Sequence, residues 1–245
     1  MNPADTDTVT AINTGIGTDT VTKSRIQSET IYDMNSIAKK ISLWNRTRKY
    51  RYFKNNVRFT SETTVLDVGF NNEDGDFPSM NYLEKHYPYP QQITALGINE
   101  KDVFCRNYPL VHAVLYDGID FPFENKQFDI GWSNAVIEHV AGGRKAQLHF
   151  LNELLRTCKV VCFTTPNKWF PIELHTQLPL LHWLPQRMYD RILNRLSRSS
   201  IDSRRINLLT KKQITELCKA AGADKLTIKG NRLCGFVMDY IVIME

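Results

Sequence analysis

The sequence predicts an α/β protein built on a mostly parallel sheet, and two observations carry that prediction. From Thr63 onward, short β-branched runs alternate with helical patterns, the arrangement of parallel strands joined by crossover helices. The 245 residues, 42% hydrophobic and 23% charged, have the length and composition of a globular protein with a sizeable core. That balance excludes a disulfide-stapled miniprotein and a mostly disordered chain.

In chain order, residues 1–28 are rich in Thr, Asp, Asn and Gly and repeat TDTVT at Thr6–Thr10 and Thr18–Thr22. They offer little apolar surface to bury, which predicts a mobile arm. Residues 29–60 place Ile31, Met34, Ile37, Ile41 and Trp44 at helical spacing and continue into the basic, aromatic run RTRKYRYFKNN, predicting an N-terminal helical cap. The main domain is expected over 61–245, with no linker inside it. TTVLDVGF is its first strand and MNYLEKHY a helix. ITALGI, AVLY and FDIGWS are further strands. NAVIEHV and KAQLHFLNELLR read as helical, and KVVCFTTP as the next strand. Cys158 and Cys162, four apart, read as one buried strand face. The helix in LTKKQITELCKAAGA ends near Gly222, and DKLTIKG with GFVMDYIVIM predicts an antiparallel hairpin at one sheet edge.

The 31 Lys+Arg against 26 Asp+Glu suit an anionic partner without requiring one. Two basic stretches stand out: Lys39, Lys40, Arg46, Arg48, Lys49, Arg51 and Lys54, then Arg187, Arg191, Arg195, Arg198, Arg204 and Arg205. A solvated helix face is the default reading of each. The alternative is an electropositive rim for an anionic or lipid-linked acceptor or a membrane surface. Tyr50, Tyr52 and Phe53 interleave with the first stretch, so RNA stacking stays open, although no RNA-binding motif accompanies them. Five widely spaced cysteines without a CxxC pair suggest neither a disulfide framework nor a metal site, and point to a reducing, cytoplasmic compartment. No run approaches the roughly 18 apolar residues of a membrane span, and the N-terminus lacks a signal-peptide layout.

In an open parallel sheet, ligands bind beyond the carboxyl ends of the strands. After the first strand comes Asp67-Val68-Gly69-Phe70-Asn71-Asn72-Glu73-Asp74-Gly75-Asp76, where Gly69 suits a tight turn against a ligand. A dinucleotide fingerprint fails there, because Asn71 and Asp74 stand at its second and third glycine positions. Glu73, Asp74 and Asp76 would repel a diphosphate but tolerate a cationic or zwitterionic ligand. No G-x-x-x-x-G-K-[ST] occurs either.

Three segments carry a resemblance: TTVLDVGF; ITALGINE; and the run from Asp117-Gly118 through Pro122-Phe123 and Phe128-Asp129 to Ser133-Asn134 and Glu138-His139-Val140. Together they resemble class I S-adenosylmethionine-dependent methyltransferases, from about Thr63 to the C-terminus. The resemblance implies a Rossmann-like, mostly parallel seven-stranded sheet with helices on both faces and an antiparallel C-terminal edge strand. It also implies S-adenosylmethionine as cofactor, which carries a sulfonium, an ammonium and a carboxylate but no phosphate. By the family's pattern Asp67, Gly69, Phe70 and Asn71 would form the first loop and hold the methionine end. Asn99, with Glu100 beside it, would meet the ribose, Asp117 and Gly118 the adenine, and Ser133 and Asn134 the methionine portion. Asn71 departs from the family's usual second glycine, and Asn99 from its acidic ribose position. Asp120 and Asp129 read as structural.

Methyl transfer to a hydroxyl needs a base, for which His139 comes first and His175 second. The aromatic, proline-rich stretch after KVVCFTTP, with Asn167, Trp169, Glu173 and His175, sits where an acceptor should enter and suits stacking on a sugar ring. It looks similar to covers in enzymes of polysaccharide biosynthesis, so a sugar hydroxyl is the favoured acceptor. A small aromatic or lipid-like acceptor, RNA, and a non-catalytic cofactor-binding scaffold stay open, as does oligomeric state.

Overall fold

The computed structural model describes residues 39–72, 79–171 and 206–245. The chain forms two compact units, Met1–Ser42 and Leu43–Glu245. Of the first, residues 39–42 are described and are helical. The expected arm over 1–28 lies outside the described residues.

The second unit is organised by seven strands: β1 (Val65–Val68), β2 (Ile93–Gly97), β3 (His112–Leu115), β4 (Phe128–Asn134), β5 (Cys158–Pro166), β6 (Leu226–Leu233) and β7 (Phe236–Met244). Their order is β3-β2-β1-β4-β5-β7-β6. The first five run parallel; β7 is antiparallel to both β5 and β6. The β6–β7 turn has Cys234 and Gly235 at φ 48° and 85°, the left-handed pair that matches a two-residue hairpin to strand twist. The chain leaves β1 toward β2 and β3, then returns to lay β4 on the other side of β1. A crevice therefore opens beyond the carboxyl ends of β1, β2 and β4, where the winding reverses.

Among the described residues five helices accompany the sheet: α1 (residues 43–56), α2 (Tyr82–His86), α3 (Asp102–Asn107), α4 (Gly143–Thr157) and α5 (Lys211–Ala220). Strand side chains alternate in direction, so β1 to β5 and β7 each feed two apolar clusters. Leu66 and Val68 join Leu151 and Leu154 of α4 and Ile214 and Leu217 of α5. Val65 joins Phe53 of α1, Leu83 of α2 and Phe104 of α3. Coverage on both faces explains why these strands read as nearly unbroken apolar runs. Thr210 and Gln213 form a capping box that starts α5 where the sequence expects a helix.

Three expectations need correction. NAVIEHV is not a regular helix: only Ile137–His139 form a single 3-10 turn, because Ala135 (φ 59°) and then Gly142 and Gly143 (95° and 70°) are left-handed and interrupt it. Cys158 and Cys162 are both buried but belong to different apolar clusters. Cys158 also caps the C-terminus of α4, so strand alternation is not yet established there. Phe53 offers no stacking face: it is fully buried, its ring centroid 4.8 Å from that of Trp132. Asp129 is structural as expected, accepting from the Thr64 amide and hydroxyl at 3.0 Å and from Lys159 at 2.8 Å. Lys159 and Thr64 hold its carboxyl below the usual range. Among the described residues no helix is long and apolar enough to cross a membrane.

Candidate cofactor site

The first wall of the crevice is the loop after β1. Gly69 has φ 103°, a conformation L residues rarely adopt, and its N–H donates to Leu96 O at 2.8 Å. A Cβ at this position would collide with Val136 Cγ2. The loop is braced by Asn81, whose Oδ1 accepts from the Asn71 N–H at 2.9 Å while its Nδ2 donates to Asn71 O at 2.8 Å. Asn72 Oδ1 accepts from the amides of Val103 and Phe104, both at 3.0 Å, and so ties the loop to the first turn of α3.

The opposite wall comes from the end of β4. Asn134 Oδ1 accepts from Thr164 Oγ at 2.8 Å, whereas its Nδ2 and the Ser133 hydroxyl are buried without a partner among the described residues. Unmatched buried donors of this kind are costly unless a ligand meets them. Beyond them Ala135 turns the chain into the 3-10 turn that carries His139. That turn is held from outside: Gln147 Nε2 donates to Ile137 O at 3.0 Å, the Asn207 amide to Glu138 O at 2.7 Å, and Asn207 Nδ2 to Val140 O at 3.0 Å.

Between these walls lies a cavity of about 360 Å³, lined by Gly69, Phe70, Asn71, Asn99, Tyr116 and His139 among others. A smaller pocket adjoins it through the shared residues Val68 and Gly69, and is lined by Asp67, Arg46, Asn134 and Tyr82. Phe70 packs on Phe104, ring centroids 4.3 Å apart, and a Cβ on Gly97 would approach its ring to 2.6 Å. Gly97 thus leaves room for the aromatic floor.

The small pocket is strongly polarised. Asp67 and Glu84 are both buried, at 7% and 6% exposure. Burial first, then the Glu84 carboxyl beside it, pushes the Asp67 carboxyl well above the usual carboxylate range; Arg46 opposes this. Burial likewise lowers the Arg46 guanidinium against the pull of Asp67, Glu138 and Asp239. Behind it Lys49 Nζ lies 3.4 Å from Asp239, which also accepts from Asn45 Nδ2 at 2.7 Å. Asn45 in turn accepts from Asn231. Thr165 Oγ donates to Glu138 at 3.1 Å. Helix α1 is thereby joined to strand ends far away in sequence by buried, charged hydrogen bonds.

Of the residues singled out by sequence, Gly69, Phe70, Asn71, Asn99 and His139 line the large cavity, and Asp67 and Asn134 the small one. Ser133 is buried beside Val68 on the neighbouring strand. Asp117 and Gly118 follow the lining residue Tyr116; Asp117 Oδ1 accepts from the amides of Ile119 (2.8 Å) and Asp120 (3.3 Å), and Gly118 (φ 85°) sits against Ile98. Glu100 is exposed and lines neither cavity. Asn167 uses its amide on Val237 O (2.8 Å) and its carbonyl on the Trp169 N–H (3.1 Å), while Trp169 stands 56% exposed. Glu173 and His175 lie outside the described residues. Sequence reasoning missed Arg46 and Glu84. Arg46 was one member of a basic run, and the missing signal is that α1 turns that side of the run inward.

No protein-family model matches the chain, and no curated protein matches it. Solved structures do. A methyltransferase dependent on S-adenosylmethionine from Archaeoglobus fulgidus aligns with a TM-score of 0.56 at 14% identity, over 83% of this chain and 93% of that one. One from Thermotoga maritima aligns at 0.53 and 11% identity, over 89% and 96%. The fold is that of the class I S-adenosylmethionine-dependent methyltransferases. The same methyltransferase fold is found in phosphoethanolamine N-methyltransferase 2 of Haemonchus contortus, solved with S-adenosylmethionine, at 0.50 and 14% identity, over 75% of this chain and 38% of that one.

Proposed function

We propose that this protein binds S-adenosylmethionine in the crevice and transfers its methyl group to an acceptor, favoured as a sugar hydroxyl. The observation that carries the reading is the polarity of the methionine end. Asn134 Nδ2 and the Ser133 hydroxyl are buried donors awaiting acceptors. Arg46 and the Asp67–Glu84 pair set a cation and an acid pair in or beside one small pocket. A zwitterion fits such a site; a diphosphate does not. Asp67 would hold the ammonium, Arg46 and Asn134 the carboxylate, Asn99 the ribose, and Ile98 and Tyr116 would flank the adenine. The bound cofactor supplies an electrophilic methyl group on a sulfonium.

The chain contributes alignment and a base. His139 lines the cavity on a turn fixed by Gln147 and Asn207, which suits removal of a proton from an acceptor hydroxyl. The exposed Trp169 ring after β5, with Lys168 Nζ 5.8 Å from its centroid, supports a sugar stacked at the mouth. Transfer of radiolabel from S-adenosylmethionine to sugar nucleotides and to lipid-linked glycans tests this. His139→Ala should lower kcat by far more than it lowers cofactor affinity. Unaltered turnover in that variant would remove His139 as the base, and label only on amines or RNA would overturn the acceptor class.

A further inference from the structure

Exposed tryptophan and phenylalanine side chains are costly on a surface that meets only water, and among the described residues three stand out: Trp44 (38% exposed), Trp169 (56%) and Phe236 (58%). Each has a cation beside it. The Arg48 guanidinium lies 4.6 Å from the Trp44 ring centroid, and Lys168 Nζ 5.8 Å from that of Trp169. Arg232 Nη1 donates to Gly235 O at 3.2 Å, next to Phe236 on the tip of the β6–β7 hairpin. These pieces are neighbours. Arg48 Nη1 donates to Arg232 O at 3.0 Å, joining α1 to the hairpin, and Asn167 Nδ2 donates to Val237 O, joining the hairpin to the Lys168–Trp169 corner. All lie at the carboxyl end of β5, the end at which the crevice opens.

We propose that this surface docks on an anionic lipid bilayer. Trp44, Arg48 and Arg51 recur at i, i+4 and i+7 on the exposed side of α1, with Lys54 beside them. Charge complementarity is one-sided: residues 34–61 and 225–238 contain no Asp or Glu, and the acid that follows, Asp239, is buried on Lys49. Aromatic rings among Lys and Arg suit the headgroup boundary, where the ring enters the apolar layer and the cation stays with phosphate. A single-stranded nucleic acid would ask instead for a line of open aromatic faces along a basic groove. Here Phe53 is core, and Tyr50 is turned onto His86 O at 2.9 Å, leaving the apolar side chains at a helix and at a hairpin tip. The docking rests on this surface alone; that a membrane-held acceptor would then face the crevice rests additionally on the proposed methyl transfer.

Co-sedimentation of the full chain with vesicles tests the docking without cofactor. The expected result is binding to phosphatidylcholine mixed with phosphatidylglycerol, none to phosphatidylcholine alone, and release at high salt. Phe236→Ser and the pair Arg48→Glu with Arg232→Glu should each lower partitioning by about tenfold or more, with melting and circular dichroism unchanged. Should either disturb folding, Arg51→Glu with Lys54→Glu on the outer side of α1 reads the same charge dependence. Equal binding to neutral vesicles, variants that partition like the wild type, or capture of polyuridylate with no vesicle binding would each overturn the proposal.

Discussion

Replacing Asp67 by Asn should make the protein more stable, and increasingly so as pH rises. The Asp67 carboxyl is buried beside Glu84, and both effects favour the protonated acid in the folded chain. Unfolding releases it to the ordinary carboxylate value, where it ionises. The folded state thus holds a proton that the unfolded state lacks, over the window from the ordinary value up to the raised one. Stability is full below that window and falls as pH climbs through it, with a limiting slope of about 1.4 kcal/mol per pH unit for one proton. Asparagine resembles the protonated acid in shape and hydrogen bonding but cannot ionise, so this slope should vanish in Asp67→Asn. Urea titrations of both proteins at a series of pH values give the difference directly. Curves that stay parallel across the window, or a wild type gaining stability relative to the variant as pH rises, would refute the reasoning. Glu84→Gln should also flatten the curve, because it removes the neighbouring carboxyl that helps burial to raise Asp67. The stabilised Asp67→Asn should lose cofactor affinity by about tenfold or more, because asparagine cannot give up a proton and become the counter-charge of the cofactor's ammonium.

Gly69→Ala forces a side chain into a left-handed turn and against Val136, so it should cost about 1–3 kcal/mol in chemical denaturation and remove cofactor binding. Val136→Ala in the same chain should restore part of the stability; no recovery would place the strain elsewhere. Burial pushes the thiols of Cys158 and Cys218 up to about 12 and raises that of Cys162 as well. Under mildly alkaline native conditions iodoacetamide should therefore label exposed Cys234 and spare these three, as read by peptide mass spectrometry. Labelling of Cys162 without denaturant would contradict its burial.

The strands were legible because a sheet covered on both faces requires apolar runs closed by polar residues, and TTVLDVGF, ITALGI and KVVCFTTP have that form. The hairpin of β6 and β7 was legible for a similar reason, its two runs flanking a turn. Parts of the site declared themselves by local chemistry: Gly69 by the turn it permits, Asp67 and Asn134 by their places near the carboxyl ends of strands. Arg46, Lys49 and Glu84 did not. Their burial depends on Asp239, Glu138 and Asp67, partners brought together only by the sheet, and the contact between Asn45 and Asp239 spans 194 positions. A run such as RTRKYRYFK carries the same letters whether its cations meet water or buried carboxylates. The 3-10 turn bearing His139 escaped for a different reason, since left-handed Ala135 has no compositional mark.

Calorimetric titration of the purified chain with S-adenosylmethionine and S-adenosylhomocysteine, beside Asn134→Ala, tests the central claim most directly. Among the described residues Asn134 Nδ2 is a buried donor without a partner, so its loss should weaken both ligands by about fivefold to tenfold, with the protein still folded and its melting temperature lowered only by the loss of the acceptor of Thr164 Oγ. Absence of heat from the folded wild type at millimolar-order ligand, or equal affinity in the variant, would contradict the assignment of this crevice as the cofactor site.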